Sequence, residues 1–375
     1  MRVYLDNAAT TPMAPEIIEM MTSMMKNNFA NPSSVHSFGR ESKIIIESAR
    51  KDIAQLLNTS PGSIFFTSGG TEADNMAIKC AIHDHKITHA ITSKISHHAV
   101  LYPLQDLEKE GVIEISYIDI DQNGEVSLSH LEELLADHDR TFVSIMHANN
   151  EIGTIQDIKS IGDICKDYNA IFHSDTVQTI GHFPFDMQKL SVDFMAASAH
   201  KFHGPKGVGF MYISENVKIK PLIRGGGQER NMRAGTENIY GIAAIAEAMK
   251  MAYKNLDAEV RYIKEIKRYM IQKLKDEIKD VQFYGKCANI DDSLYTVLSC
   301  HFPETDMAEM LLFNLDILGV ACSGGSACAS GGSKGSHVLK EILPDITRPG
   351  IRFSFSKYNT KEDIDFSVAK LRELF

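Results

Sequence analysis

Phe194-Met-Ala-Ala-Ser-Ala-His-Lys201 runs into Gly204-Pro-Lys-Gly-Val-Gly209. An apolar run closes on Ser198-Ala-His-Lys201, and a glycine-rich turn follows it. In an α/β sheet, a lysine just past a strand end lies where ligands bind. Desolvated there, its amine can form a Schiff base, although most lysines after strands are solvated. Further apolar runs of strand length lie on both sides: Ser63–Thr67, Ala90–Thr92, Phe142–Met146, Ala170–His173 and Val208–Ile213. Helical patterns such as Glu72–Ile82 and Ile158–Tyr168 separate several of them. From about residue 15 to 255 this alternation predicts an α/β fold, a mostly parallel sheet covered on both faces. A long charged helix, Asp257–Lys279, comes next. Shorter strands (Tyr295–Ser299, Ile351–Ser354) and helices around Asp306–Leu312 and Lys361–Leu374 then predict a smaller α+β unit. The expected division is a large domain over 15–256 and a small domain made of 1–14 and 257–375.

The 375 residues are 43% hydrophobic and 23% charged, ordinary globular composition and enough for two domains. A net charge of -10 argues against broad contact with nucleic-acid backbone. No apolar run approaches the ~18 residues that span a membrane, and Met-Arg-Val-Tyr-Leu-Asp-Asn does not read as a signal peptide. The six cysteines (80, 165, 287, 300, 322, 328) are scattered, without a Cys-x-x-Cys pair. A cytoplasmic enzyme with reduced thiols and no metal site is expected.

Several segments carry chemistry. Thr67-Ser-Gly-Gly-Thr-Glu72 joins a strand to a helix start, where free N–H groups and small residues can hold a phosphate. Ser198, His200 and Thr236 could add donors. Asp175 ends the run Ala170-Ile-Phe-His-Ser-Asp, with Gln178 three residues on. It either keeps a pyridine nitrogen protonated, as an electron-sink cofactor needs, or caps a helix. His97 either stacks on an aromatic cofactor or is an ordinary satisfied histidine. Arg352, in Ile351-Arg-Phe-Ser354, either clamps a substrate carboxylate or makes a structural ion pair. Cys328 sits in Ser323-Gly-Gly-Ser-Ala-Cys-Ala-Ser-Gly-Gly-Ser-Lys-Gly-Ser336. Such a tract suits a thiol that visits two sites. The plain alternative is a surface loop with an accidental cysteine.

As an ordered set these stretches resemble the pyridoxal-phosphate-dependent cysteine desulfurases of the nitrogenase and iron–sulfur-cluster type, in the class V aminotransferase family. The matching segments begin with Tyr4-Leu-Asp-Asn-Ala-Ala-Thr-Thr-Pro12, Asn31-Pro-Ser-Ser, Thr67-Ser-Gly-Gly-Thr-Glu-Ala-Asp-Asn75 and Asn149-Asn-Glu-Ile-Gly153. They continue through His173-Ser-Asp175, Ser198-Ala-His-Lys201, Gly225-Gly-Gly-Gln-Glu-Arg230, Arg233-Ala-Gly-Thr-Glu-Asn238, Ser326-Ala-Cys328 and Ile351-Arg-Phe-Ser354. The resemblance implies the type I pyridoxal-phosphate transferase fold, with a mostly parallel, seven-stranded-type sheet in the large domain. It implies pyridoxal 5'-phosphate on Lys201, with Asp175 and Gln178 at the pyridine nitrogen and ring hydroxyl. Gly70, Thr71, Ser198 and His200 would hold the phosphate, His97 would lie over the ring, and Asn150 and Arg352 would hold the substrate carboxylate. Thr236 would reach the neighbouring subunit's phosphate, which implies a homodimer with shared active sites. Cys328 would take sulfur from L-cysteine as a persulfide, leave L-alanine, and pass the sulfur to a cluster scaffold or thiolation protein. The alternatives are selenocysteine lyase or another class V activity, and an inactive cofactor-binding scaffold. Ala199 replaces the usual glycine before His-Lys, the tract after Cys328 is richer in glycine than in most relatives, and the sequence ends at Phe375, which leaves scaffold docking through a longer tail open.

Three features are read plainly. Asp119-Ile-Asp-Gln-Asn-Gly124 imitates a calcium loop, but its twelfth position is His130, so a turn before Val126–Leu135 is expected. His83, His85, His89, His97 and His98 lack metal-ligand spacing. Cys322 is read as a small residue ending a strand, the sharper alternative being a second sulfur-accepting thiol.

Overall fold

The computed structural model describes residues 1–303, 310–324, 336–344 and 348–375. Its first strand, β1 (Val3–Tyr4), pairs in parallel with a strand near the other end of the chain, Val3 facing Val320. The central sheet has seven strands in the order β2-β8-β7-β6-β5-β3-β4. In chain order these are β2 (Ile64–Thr67), β3 (His89–Thr92), β4 (Glu114–Tyr117), β5 (Thr141–Ser144), β6 (Ile171–Asp175), β7 (Phe194–Ser198) and β8 (Gly209–Ile213). Only β8 runs antiparallel to its neighbours β2 and β7. All strands but β4 and the first residue of β6 are buried throughout. A strand with both faces covered reads as a continuous apolar run, not as an alternation. That is why β7 was visible in the sequence and the more exposed β4 was not individually recognised.

Helices cover both faces. One layer is built from α1 (Pro15–Asn27), α2 (Ser37–Leu56), α5 (Leu128–Ala136), α6 (Ile158–Asp167) and α7 (Ile239–Lys254), around Ile53, Phe172, Phe202 and Met249. The opposite layer holds α3 (Gly70–Asp84) and α4 (His98–Lys109) over Phe142 and Phe194. A separate core gathers α8 (Leu256–Glu277), α9 (Leu311–Ile317), α11 (Lys361–Arg372), β1, and the sheet β12-β10-β9. Here β9 is Gln282–Phe283, β10 is Val297–His301, β11 is Val320–Ala321 and β12 is Gly350–Ser354, while α10 is His337–Ile342. In α8 the buried residues Ile263, Ile266, Lys267, Met270, Ile271 and Leu274 repeat every three or four positions and seat a charged helix by one stripe. Lys267 within that stripe donates to Ser293 Oγ and the Leu294 carbonyl, both at 3.0 Å. Burial drives its amine down to about 8.

Several boundaries shift by a few residues from the sequence reading; the strand expected at Tyr295–Ser299, for example, is Val297–His301. Of the helix expected around Asp306–Leu312, residues 306–309 lie outside the described set, while Leu311 and Leu312 open α9. The strand that the sequence closes at Asp175 is Ile171–Asp175, with Asp175 its last residue as expected. The Asp119–Gly124 segment is a turn: Asp121 Oδ1 accepts from the N–H groups of Asn123 and Glu125 at 2.8 and 2.9 Å.

Candidate active site

The carboxyl ends of β2, β3, β5, β6 and β7 open on one side of the sheet and bring their following residues into one cavity of about 220 Å³. Gly70, Thr71, His97, Asn150, Asp175, Gln178, Ser198, His200 and Lys201 line it. Nine residues singled out from the sequence therefore meet where a parallel sheet binds its ligands. Ala9, Asp74, Met146, Ala148 and Val177 complete the lining and were not anticipated.

The β2–α3 junction makes one end of the cavity. Gly69 has φ +158°, which favours glycine, and Gly70 approaches Val177 so closely that a Cβ would strike its Cγ2. This lets the first turn of α3 point its unpaired N–H groups into the cavity beside Ser198 and His200, an anion cradle. His200 Nδ1 lies 3.2 Å from Thr10 Oγ1. Burial, with Lys201 and Lys206 nearby, drives its imidazole down to about 4. At the other end, Asp175 accepts from the Val177 N–H at 2.9 Å. Gln178 donates to the Ala8 carbonyl at 3.0 Å. Lys201 Nζ donates to the Ala8 and Ala9 carbonyls at 2.6 and 2.9 Å, so the N-terminal segment forms the lysine's seat. His97 caps α4, its Nδ1 accepting from the Ala99 N–H at 3.1 Å. Burial lowers its pKa against the upward pull of Asp175, and its ring borders the cavity as a neutral plate.

Arg352 is buried and holds Asp6 Oδ1 at 2.8 Å and the Asn150 carbonyl at 3.0 Å, while its Nε has no partner among the described residues. The ion-pair reading finds its partner in Asp6, and the bond to the Asn150 carbonyl ties Arg352 to a residue that lines the cavity. Ser323 Oγ donates to the same Asp6 oxygen at 2.8 Å. Thr236 is not part of this cavity; it lies exposed in a separate cleft with Ser68 and Arg233. Cys328 lies outside the described residues. The five described cysteines are free thiols. Burial pushes each of them up, Cys80 to about 11. Cys322 directly follows β11, and burial with Asp6 beside it keeps the thiol protonated, which fits a residue that ends a strand. The histidines noted in the sequence serve separate purposes: His89 stacks on His138 at 3.7 Å and His85 reaches the Lys218 carbonyl at 2.9 Å.

Two acidic residues went unnoticed. Asp6 is the partner of Arg352. Asp74 sits fully buried on α3 beside His173. The available signal was an acidic residue inside the otherwise small and apolar buried stripe Gly70, Ala73, Asp74, Ala77, Ile78.

The donor set suits a phosphorylated pyridine aldehyde: an anion cradle at one end, a carboxylate at the other, an amine between them and a flat ring alongside. The class V aminotransferase family matches residues 3–366. A protein of Dictyoglomus turgidum named cysteine desulfurase IscS is 44% identical over 99% of this chain and 94% of its own length. A solved NifS-like protein superposes with a TM-score of 0.91 at 37% identity, covering 100% of this chain and 99% of its own. The structure described as SspA in complex with cysteine superposes with a TM-score of 0.82 at 30% identity, covering 96% of this chain and 100% of that one. A match of this extent, on a fold whose strand ends assemble the expected residues, makes the chain a member of the class V aminotransferase family.

Proposed function

We propose that this cavity is where a pyridoxal-phosphate-dependent cysteine desulfurase takes sulfur from L-cysteine, leaving L-alanine and a persulfide on Cys328. The observation that carries the reading is the convergence of Lys201, Asp175, His97 and the start of α3 on one cavity. When bound, pyridoxal 5'-phosphate supplies an aldehyde for the substrate amine and an electron sink for cleavage at Cα. The N–H groups of Gly70 and Thr71, with Ser198 and His200, would hold the phosphate. Asp175 would face the ring nitrogen, Gln178 the ring hydroxyl, and His97 would cover the ring. Lys201, steadied by the Ala8 and Ala9 carbonyls, takes the Cα proton of the substrate. Asn150 and Arg352 orient the substrate carboxylate. The Cys328 thiolate attacks the substrate sulfur. An S–S bond forms as the Cβ–S bond breaks, and its electron pair stays with Cβ, which takes a proton and becomes the methyl group of alanine.

The same proposal places Thr236 at the phosphate of a second subunit in a homodimer, with a cluster scaffold or thiolation protein as acceptor. It divides the chain into 15–256 and the remainder, supported by the separate apolar clusters on the two sides of residue 256. The enzyme is placed in the cytoplasm, in keeping with its free thiols. Among the described residues no helix is long and apolar enough to cross a membrane. The test is turnover with L-cysteine, reading alanine and sulfide, together with the mass of Cys328 peptides after brief exposure. Cys328→Ser is expected to lose alanine formation. Full desulfuration by that variant, or added sulfur only on Cys80 or Cys165, overturns the reading. Turnover of selenocysteine alone points to a lyase.

A further inference from the structure

Lys201 has a cavity on each side. With Gln178 it lines both the front cavity of about 220 Å³ and a second one of about 20 Å³ behind it. Ala9 borders the front cavity and Ala8 the rear one, so the N-terminal segment forms part of the wall between them. A cavity needs roughly 10–15 Å³ and two to four polar partners to hold a water, and the rear one has room for a single molecule.

Its lining supplies the partners. Asn7 lines the rear cavity and is 4% exposed, and its Oδ1 has no hydrogen-bond partner among the described residues. Turning the amide over does not help. Nδ2 faces the Ser354 carbonyl at 2.8 Å and Asn359 Oδ1 at 3.2 Å, and that Asn359 oxygen already accepts from the Ser356 N–H at 2.9 Å. Both neighbours are acceptors, so Asn7 presents its N–H groups to them and its oxygen is left over. A buried acceptor without a donor is costly, and internal waters satisfy such atoms. His203, also in the lining, offers a second acceptor. Its Nδ1 faces the Pro12 carbonyl at 2.8 Å and so carries the proton. Burial drives the ring down to about 4, which leaves it neutral with Nε2 bare. His182 is fully used: Nε2 donates to the Lys201 carbonyl at 3.1 Å and Nδ1 accepts from the Tyr295 hydroxyl at 2.9 Å. The last charged groups in the lining, Lys357 and Glu259, pair at 3.0 Å with side chains 20% and 22% exposed.

We propose that the rear cavity is a water site built on Asn7 Oδ1, whose water exchanges protons between the Lys201 amine and the partly exposed Glu259–Lys357 pair. The inference rests on the reading of Lys201 as the base at the substrate Cα. The two O–H groups of the water suit Asn7 Oδ1 and His203 Nε2, and its lone pairs suit the ammonium donors. Exchange is one for one: the amine releases a proton into the hydrogen-bonded chain as it receives another, and no net charge moves. Lys201 thus communicates with bulk water from behind while substrate fills the front. Asn7 is a positioning residue; it holds the water and not the substrate.

High-resolution crystal structures of the cofactor-loaded enzyme should show an ordered water at hydrogen-bond distance from Asn7 Oδ1. Asn7→Leu removes the acceptor. Ala252→Val adds two methyl groups to the cavity wall without touching a hydrogen bond, and both changes should displace the water. The functional readout is the hydrogen left at Cα of alanine when protiated cysteine turns over in heavy water. An ammonium that has taken the Cα proton holds three hydrogens, so without rear exchange it returns the original one about one time in three. Wild-type alanine should retain at least threefold less protium than that, and alanine from Ala252→Val should approach the one-third value. A loss of overall rate through poorer packing leaves this ratio unmoved. The proposal is overturned by a wild-type structure with no water on Asn7 Oδ1, by wild-type retention near one third, or by equal retention in wild type and Ala252→Val. If no alanine forms from cysteine, the desulfurase reading fails instead, and the crystal structures alone judge the water site.

Discussion

Gly70→Ala tests whether the anion cradle depends on the close approach of α3 to the β6 end. The added methyl would sit inside contact distance of Val177 Cγ2, while the Val177 Cβ and Cγ1 remain at an ordinary 3.7 and 3.8 Å. A single atom is in conflict, but it belongs to a β-branched side chain with little rotamer freedom. Overpacking of this kind costs about 1–3 kcal/mol, roughly 5- to 150-fold in an equilibrium constant. Part of that cost destabilises the cofactor-free protein, and part shifts the N–H groups of Gly70 and Thr71 away from the phosphate. Urea unfolding of the cofactor-free protein and equilibrium titration with pyridoxal phosphate read the two parts. Val177→Ala removes the offending atom. Because Val177 is half-buried, that change alone should cost at most ~1.6 kcal/mol for its two methyl groups. The double variant should be better than the sum of the single ones by about 1 kcal/mol or more. Wild-type stability and affinity in Gly70→Ala, or strict additivity in the double variant, would refute the close-approach argument.

Arg50→Met should cost about 3–5 kcal/mol in urea unfolding, because it leaves buried Glu229, now gripped by both Arg50 nitrogens at 2.8 Å, with only the Phe66 N–H; Arg50→Met with Glu229→Met should recover part of the loss. Stability should fall on acidification. Burial drives His147 from 6.5 to about 4, so between those values the unfolded chain binds the extra proton, contributing a slope of up to ~1.4 kcal/mol per pH unit, and His147→Asn should flatten the curve of urea midpoint against pH by that amount. Arg352→Lys keeps a charge for Asp6 but cannot bridge Asp6 and the Asn150 carbonyl together, and should lower kcat/KM for cysteine roughly 10- to 150-fold. Cys322→Ser should leave turnover and peroxide sensitivity unchanged, since burial and Asp6 hold that thiol protonated; altered sensitivity would revive the sharper reading of Cys322.

What the sequence made legible were breaks in pattern. Lys201 and Asp175 each end an apolar run, and Thr67–Glu72 switches from strand to helix with two glycines at the junction. A buried strand and its terminus announce themselves because the change in burial is abrupt. The partners that fix these groups are another matter. Asp6 and Arg352 are 346 residues apart, and no local spacing encodes such a pair. Asp74 was hidden by its helix, since one carboxyl on a mostly apolar face reads as noise until the ring of His173 is seen beside it. Strand β4 escaped notice because it is partly exposed.

The seat of Lys201 has a consequence for the order of assembly. The carbonyls of Ala8 and Ala9 that hold its amine belong to a segment fixed in turn by β11, by Asn7 Nδ2 on the Ser354 carbonyl at 2.8 Å, and by Asn359 Nδ2 on the Tyr4 carbonyl at 3.0 Å. A ribosome makes this segment well before its anchors. All seven central strands have been synthesised once Ile213 emerges, yet the reactive amine lacks its fixed neighbours until residues beyond Ser354 arrive. Maturation of the lysine is thereby tied to synthesis of the stretch that carries Ser354 and Asn359, and a chain interrupted before it stops with its sheet strands made and its nucleophile unseated.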